Sequence, residues 1–155
     1  MDVKKLRTTN RKSKYTQGKY LLKHPEKYMG DPETVWYMSS WELRFHEFLD
    51  NNSSILKWTS EEIKIPYIHP LDGSMHWYFP DYFIIYKDSM GRINKELIEI
   101  KPAKQMKIMK NARAADKITV MINHAKWEAA AKFCKAKNIT FRILNEHDLF
   151  GRKQT

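Results

Sequence analysis

The sequence predicts one α/β domain with a mixed central sheet flanked by helices. Three observations carry this: a helical period with an N-terminal cap near residue 40, strand-like runs between residues 63 and 101, and a long helical stretch followed by a last apolar strand. At 155 residues the chain has room for one domain with a substantial core, but not for two full-sized ones.

Residues 1–29 read as a basic arm and residues 30–155 as the folded domain, with Gly30-Asp31-Pro32 as the boundary turn. The arm has nine basic and two acidic residues and so carries seven of the ten excess positive charges of the chain. Its Lys-Tyr pairs at Tyr15, Tyr20 and Tyr28 supply rings that can stack on bases or pack on the domain. Two readings of the arm stand: a tail whose Lys12, Lys14 and Lys19 grip DNA phosphates, or a solvated, solubilising segment.

Ser39-Ser40-Trp41-Glu42 opens the first helix, with Ser39 as cap and Trp41, Phe45, Phe48 and Leu49 as an apolar face, and residues 50–53 end it. Ile63, Ile65 and Tyr67 then alternate as in a strand, and Pro66 marks that strand as an edge or irregular one. Asp72-Gly73 turns the chain into residues 75–86, and a polar loop at residues 88–92 turns it again into residues 95–101, completing an antiparallel meander that Pro102 stops. Residues 103–121 read as a helix with Lys107, Lys110, Arg113 and Lys117 along one side. Asn123 is the expected cap of a further helix over residues 126–137, before a strand at residues 139–144 and a closing turn at residues 147–150.

The chemistry concentrates at the ends of two neighbouring strands. A turn centred on Met90 pairs Asp81 with Glu99, and the two-residue strand repeat places Lys101 on the same face. Adjacent carboxylates repel unless a cation neutralises them, and hard oxygen ligands suit Mg²⁺, with Mn²⁺ as a substitute. Asp81 and Glu99 are the expected ligands, joined by the Ile100 backbone carbonyl, while Lys101 holds or deprotonates an attacking water. Phe83, Ile85 and Leu97 suggest that the opening helix covers this face, which makes unpaired carboxylates there expensive. The same residues also fit a plain surface salt bridge, worth under about 1 kcal/mol. Glu42 is the natural third carboxylate, directly or through water, yet with Ser39 it also forms an S-x-x-E capping box.

Lys104, Gln105, Lys107, Lys110 and Arg113, just after the site, are placed to meet DNA phosphates, or else form an exposed helix face. His69 and His76 bracket the Asp72-Gly73 turn, but without an evident third ligand they read as exposed hairpin histidines. A single cysteine, Cys134, excludes an intramolecular disulfide and a Cys-rich zinc site. No window has the apolar length of a membrane span and the start lacks a secretory signal, so the reading is a soluble protein acting where it is made.

Pro80-Asp81 followed by Glu99-Ile100-Lys101, with Glu42 upstream on a helix, resembles the PD-(D/E)xK nuclease superfamily and its restriction-endonuclease-like core. With Ser40-Trp41-Glu42, Ile65-Pro66-Tyr67, Tyr78-Phe79-Pro80-Asp81-Tyr82, Pro102 and Phe141-Arg142-Ile143-Leu144, the ordered set is similar to the TnsA-type endonucleases, in the form used by head completion nucleases of T-even-like phages. The resemblance implies an Mg²⁺-dependent DNA endonuclease with Glu42, Asp81, Glu99 and Lys101 at its catalytic positions. It further implies action after genome packaging in the cytoplasm of the infected host, contacts with other phage head or neck proteins, and a place in the virion head left open. No base-reading motif is evident, so little sequence specificity is expected. Two alternatives remain at this stage: a non-catalytic DNA-binding plug of the head, and a transposon- or repair-type endonuclease working with a partner subunit.

Overall fold

The computed structural model describes residues 17–106 and 110–150. In chain order its elements are β1 (Gly18–Lys19), β2 (Trp36–Tyr37), α1 (Ser40–Asn51), β3 (Ile55–Ser60), β4 (Ile65–Ile68), β5 (Met75–Tyr78), β6 (Tyr82–Lys87), β7 (Ile93–Ile100), α2 (Ala114–Ala136), β8 (Thr140–Leu144) and α3 (Glu146–Phe150). The central sheet runs β3-β6-β7-β8, antiparallel at the first two pairings and parallel at the last, as a mixed sheet flanked by helices requires. Parallel neighbours need a long crossover, and α2 supplies it between β7 and β8.

The β6–β7 hairpin has the expected register, with Tyr82 opposite Ile98 and Lys87 opposite Ile93. Its turn is set locally: Gly91 takes a φ of +77°, and the Asp88 carboxylate accepts hydrogen bonds from the Met90 and Arg92 amides and the Asn94 side chain. Because strand side chains alternate, the sheet buries two different faces. Tyr82, Ile84 and Ile98 pack with Phe45 and Leu49 of α1, whereas Leu97 and Phe83 pack with Ala130 and Cys134 of α2. The expectation that the opening helix covers the Phe83 and Leu97 face is therefore corrected: α2 covers it. Both faces are apolar, so the strand pattern alone does not say which helix meets which face.

Three further expectations change. The meander's first strand is β3, absent from the sequence reading because a bulge between Ile55 and Lys57 breaks its alternation. The run at residues 75–86 splits at Pro80, which has no amide hydrogen for a ladder: β5 joins β4 in a separate two-stranded ribbon, and β6 joins the central sheet. The expected helix over residues 103–121 is a 3-10 turn at Ala103–Gln105, and α2 then runs unbroken from Ala114, with Asn123 buried inside it instead of capping a second helix. Lys110 lies in a turn, Arg113 is the extended residue before α2 and Lys107 lies outside the described residues, so the basic stripe is not one helix face.

The domain also begins earlier than Gly30. Tyr20 and Tyr28 are buried in the α1-side core, and the buried Asp50 carboxylate accepts hydrogen bonds from the Tyr20 hydroxyl and from the Lys23 and His24 amides. Lys27 Nζ donates to the carbonyls of Leu49, Asp50 and Asn52, where a helix C-terminus attracts a cation. Residues 17–29, assigned above to the arm, thus pack on the domain through Tyr20, Lys27 and Tyr28. Among the described residues, no helix is long and apolar enough to cross a membrane.

Candidate active site

The sheet brings the chemistry together at one end. Asp81 immediately precedes β6 and Glu99 lies near the end of β7, so the Tyr82–Ile98 pairing sets the two acidic residues side by side. The Asp81 carboxylate accepts the Ile100 amide hydrogen at 2.7 Å through Oδ2. It is therefore the Ile100 N–H that is seen to hold Asp81.

Two more carboxylates converge on Asp81 from other elements. Glu42 comes from the first turn of α1, and Glu61 from the residue after β3; Glu42, Glu61 and Asp81 each present a carboxylate oxygen within 4.8 Å of the others. Glu61 has a φ of +55°, uncommon for a residue with a side chain, and its amide donates to the Asp81 carbonyl at 2.9 Å. Both readings of Glu42 hold at once. Ser39 Oγ accepts the Glu42 amide at 3.1 Å, and Glu42 Oε2 reaches back to the Met38 amide, one residue before the usual capping-box partner.

Glu99 is buried and belongs to a second half of the site. Its Oε2 accepts the Tyr78 hydroxyl at 2.8 Å, and its Oε1 lies 3.9 Å from Lys101 Nζ. Lys126, on α2, adds a second ammonium whose charge acts on Glu99; its Nζ stands 5.8 Å from the ring centres of both Tyr67 and Tyr78.

Burial and neighbouring charge set the electrostatics at this end of the sheet. Burial, then the charge of Glu99, and to a smaller extent Glu42 and Glu61, raise the Asp81 carboxyl well above its ordinary range, against the Ile100 amide. Burial also raises Glu99, opposed by the Tyr78 hydroxyl, Lys101 and Lys126. Burial and Glu99 together push the Tyr78 phenol upward, so it stays a hydrogen-bond donor. Burial lowers Lys126, with Glu99 opposing and Lys101 adding to the effect. Glu42, Glu61 and Asp81, whose carboxylate oxygens lie nearest one another, offer only hard oxygen donors. That set fits a divalent cation of the Mg²⁺ or Mn²⁺ type.

The fold brings Glu42 and Asp81 together and sets Glu99 with Lys101 on the adjoining strand end, while Glu61 and Lys126 are residues the sequence reading does not place there. Nothing in the strand pattern marks Glu61, because β3 itself is irregular. Lys126 occupies an ordinary helix position whose half-burial only the fold reveals. Among the proposed DNA contacts, Lys104 and Gln105 lie in the 3-10 turn just beyond Lys101, and Arg113 Nε lies 3.7 Å from Asp116 Oδ2. Lys19 Nζ bonds Glu33 Oε2 at 3.0 Å, and Lys12 and Lys14 fall outside the described residues.

Residues 52–146 match the family described as TnsA-like endonuclease N terminal, a span that contains Glu61, Asp81, Glu99, Lys101 and Lys126. The chain is also 39% identical over 142 residues to the head completion nuclease of Enterobacteria phage T4, covering 85% of this chain and 92% of that protein. The chain belongs to the TnsA-like endonuclease family.

Proposed function

We propose that the chain is an Mg²⁺-dependent DNA endonuclease that hydrolyses phosphodiester bonds during phage head completion. The observation that carries this reading is the convergence of the Glu42, Glu61 and Asp81 carboxylates, with the Glu99–Lys101 pair on the adjoining strand end, in a member of a nuclease family. Glu42, Glu61 and Asp81 would hold the cation, with Glu99 and the Ile100 carbonyl as the further ligands expected from the sequence. When bound, such an ion supplies charge neutralisation at the phosphate and Lewis acidity.

The remaining work belongs to the chain's own groups. The Ile100 amide fixes the Asp81 carboxylate, and the Tyr78 hydroxyl fixes that of Glu99. Lys101 Nζ, 3.9 Å from Glu99, holds the attacking water and as an ammonium stabilises negative charge on the phosphate; to take the water's proton it must first give up one of its own. Lys126 adds positive charge from the α2 side. Lys104, Gln105, Lys110 and Arg113, with Lys12, Lys14, Lys19 and Lys107, are the candidates for gripping the DNA backbone, without strong sequence preference. Similarity to a head completion nuclease supports action in the infected host, and contacts with head or neck proteins and incorporation into the virion head extend the same reading. Mn²⁺ should replace Mg²⁺.

The test is cleavage of supercoiled plasmid with Mg²⁺, beside DNA binding without it, for the parent chain and Lys101→Ala. The variant should lose about 100-fold or more in rate with binding retained. Undiminished cleavage removes Lys101 from the chemistry, and a parent chain that binds but never cuts supports a head plug. Cutting confined to one defined junction supports an enzyme that depends on a partner subunit.

A further inference from the structure

We propose that the tip of the β4–β5 hairpin is a second metal site, in which His69, Asp72 and His76 take a borderline transition-metal ion such as Zn²⁺. The sequence pattern offers the two histidines no evident third ligand, and the fold supplies one from within the turn between them. One ligand atom from each of the three residues lies within 4.8 Å of the other two, and the two imidazole centres are 4.6 Å apart.

The hairpin is built in a way that holds this arrangement. The His69 amide donates to the Ser74 carbonyl and the Gly73 amide to the His69 carbonyl, both at 2.9 Å, with Gly73 at a φ of +67° closing the turn. Asp72 Oδ1 accepts the Ser74 amide at 2.8 Å and the Ser74 hydroxyl at 2.7 Å, which fixes the carboxylate and leaves Oδ2 facing His76 Nε2 at 2.9 Å. Hydrogen-bonded support of this kind is what orients a ligating carboxylate in metal sites. His76 Nε2 also lies 3.1 Å from Ser74 Oγ, and His69 Nδ1 accepts the Leu71 amide at 3.2 Å. Ligation by His69 through Nδ1 replaces that long bond; ligation through Nε2 moves the ring proton to Nδ1 and gives it up.

Two imidazoles against one carboxylate make a mixed nitrogen and oxygen set, unlike the oxygen-only set around Asp81. Three protein ligands with water completing the shell is a pattern of Zn²⁺, Co²⁺ and Ni²⁺ rather than Mg²⁺. An ion there clamps the ribbon that carries Tyr67 and Tyr78 towards Lys126 and Glu99, so it steadies the active site without joining it.

The experiment is calorimetric titration of the full chain with Zn²⁺ in the Asp81→Asn background, which disables the oxygen site. One equivalent should bind, excess Mg²⁺ should not displace it, and His69→Ala or His76→Ala should weaken it by about 100-fold. Zn²⁺ should also shift the ring resonances of His69 and His76 ahead of those of His24 and His147. No binding to Asp81→Asn, equal binding by the histidine variants, or resonances at His69 and His76 that do not move would overturn the proposal.

Discussion

Two clusters in this molecule gather possible metal ligands around an aspartate, and they treat its negative charge in opposite ways. At the hairpin tip, hydrogen bonds from the Ser74 amide and hydroxyl and from His76 hold the Asp72 carboxyl well below the usual carboxylate range, at an exposed position. At the end of the sheet, burial and the neighbouring Glu99 push Asp81 well above that range. The protein satisfies Asp72 with its own donors, whereas Asp81 has the Ile100 amide set against burial and three like charges. The lesson is that charge balance and ligand type go together here: the carboxylate that the chain satisfies stands with two imidazoles, and the one that burial raises stands with other hard oxygen donors.

The sharpest way to break that comparison is at Glu61, the carboxylate found only through the fold. Glu61→Gln should cost about 100-fold or more in Mg²⁺-dependent plasmid cleavage, while Glu62→Gln, at the exposed next position, should leave the rate unchanged. Equal rates for the two variants would detach Glu61 from the site. A smaller effect belongs to Lys126. Lys126→Met should slow cleavage by about tenfold, with most of the decrease in kcat, because the ammonium acts on Glu99 at the reacting end of the sheet. A change confined to KM would make it a DNA-binding group instead.

Stability should respond to the same imbalance. A carboxyl raised in the folded state holds its proton when the unfolded chain has already released it. Without metal, stability should therefore fall as pH rises from the unfolded carboxylate range through the higher folded value of Asp81. Asp81→Asn should flatten that slope in thermal melts, and Mg²⁺ should stabilise the parent at neutral pH but not the variant. A parent whose melting temperature rises over that interval without metal contradicts the imbalance.

The smallest effect concerns the arm. Removing residues 1–16 takes away six basic residues and should reduce the salt slope of DNA binding by about 0.9 for each phosphate they neutralise. An unchanged slope would make that segment a spacer. Removing residues 1–29 should instead unfold the domain, since Tyr20, Lys27 and Tyr28 leave with it.

Much of the site was legible because it depends on local rules. The loop at residues 88–92 sets the register that pairs Asp81 with Glu99, and Ser39 caps the helix that carries Glu42. What was not legible depends on tertiary packing. Glu61 follows a bulged strand and turns through a positive φ, so no periodicity points to it. Lys126 is distinguished only by the sheet that α2 lies against. The exchange of sheet faces, with α2 instead of α1 over Phe83 and Leu97, came from two apolar faces that a strand pattern cannot tell apart. Asp72 reads from sequence as a turn residue, and only the closed hairpin shows it meeting both histidines.

The measurement closest to the central claim is Mn²⁺ binding, followed by its electron spin resonance signal, in the parent chain and in Asp81→Asn alongside plasmid cleavage. The account predicts that the parent binds Mn²⁺ and cuts DNA, that excess Mg²⁺ displaces the Mn²⁺, and that the variant neither binds Mn²⁺ nor cuts while still binding DNA. Undiminished Mn²⁺ binding or cleavage by Asp81→Asn, or cleavage that persists in a chelator, would contradict it.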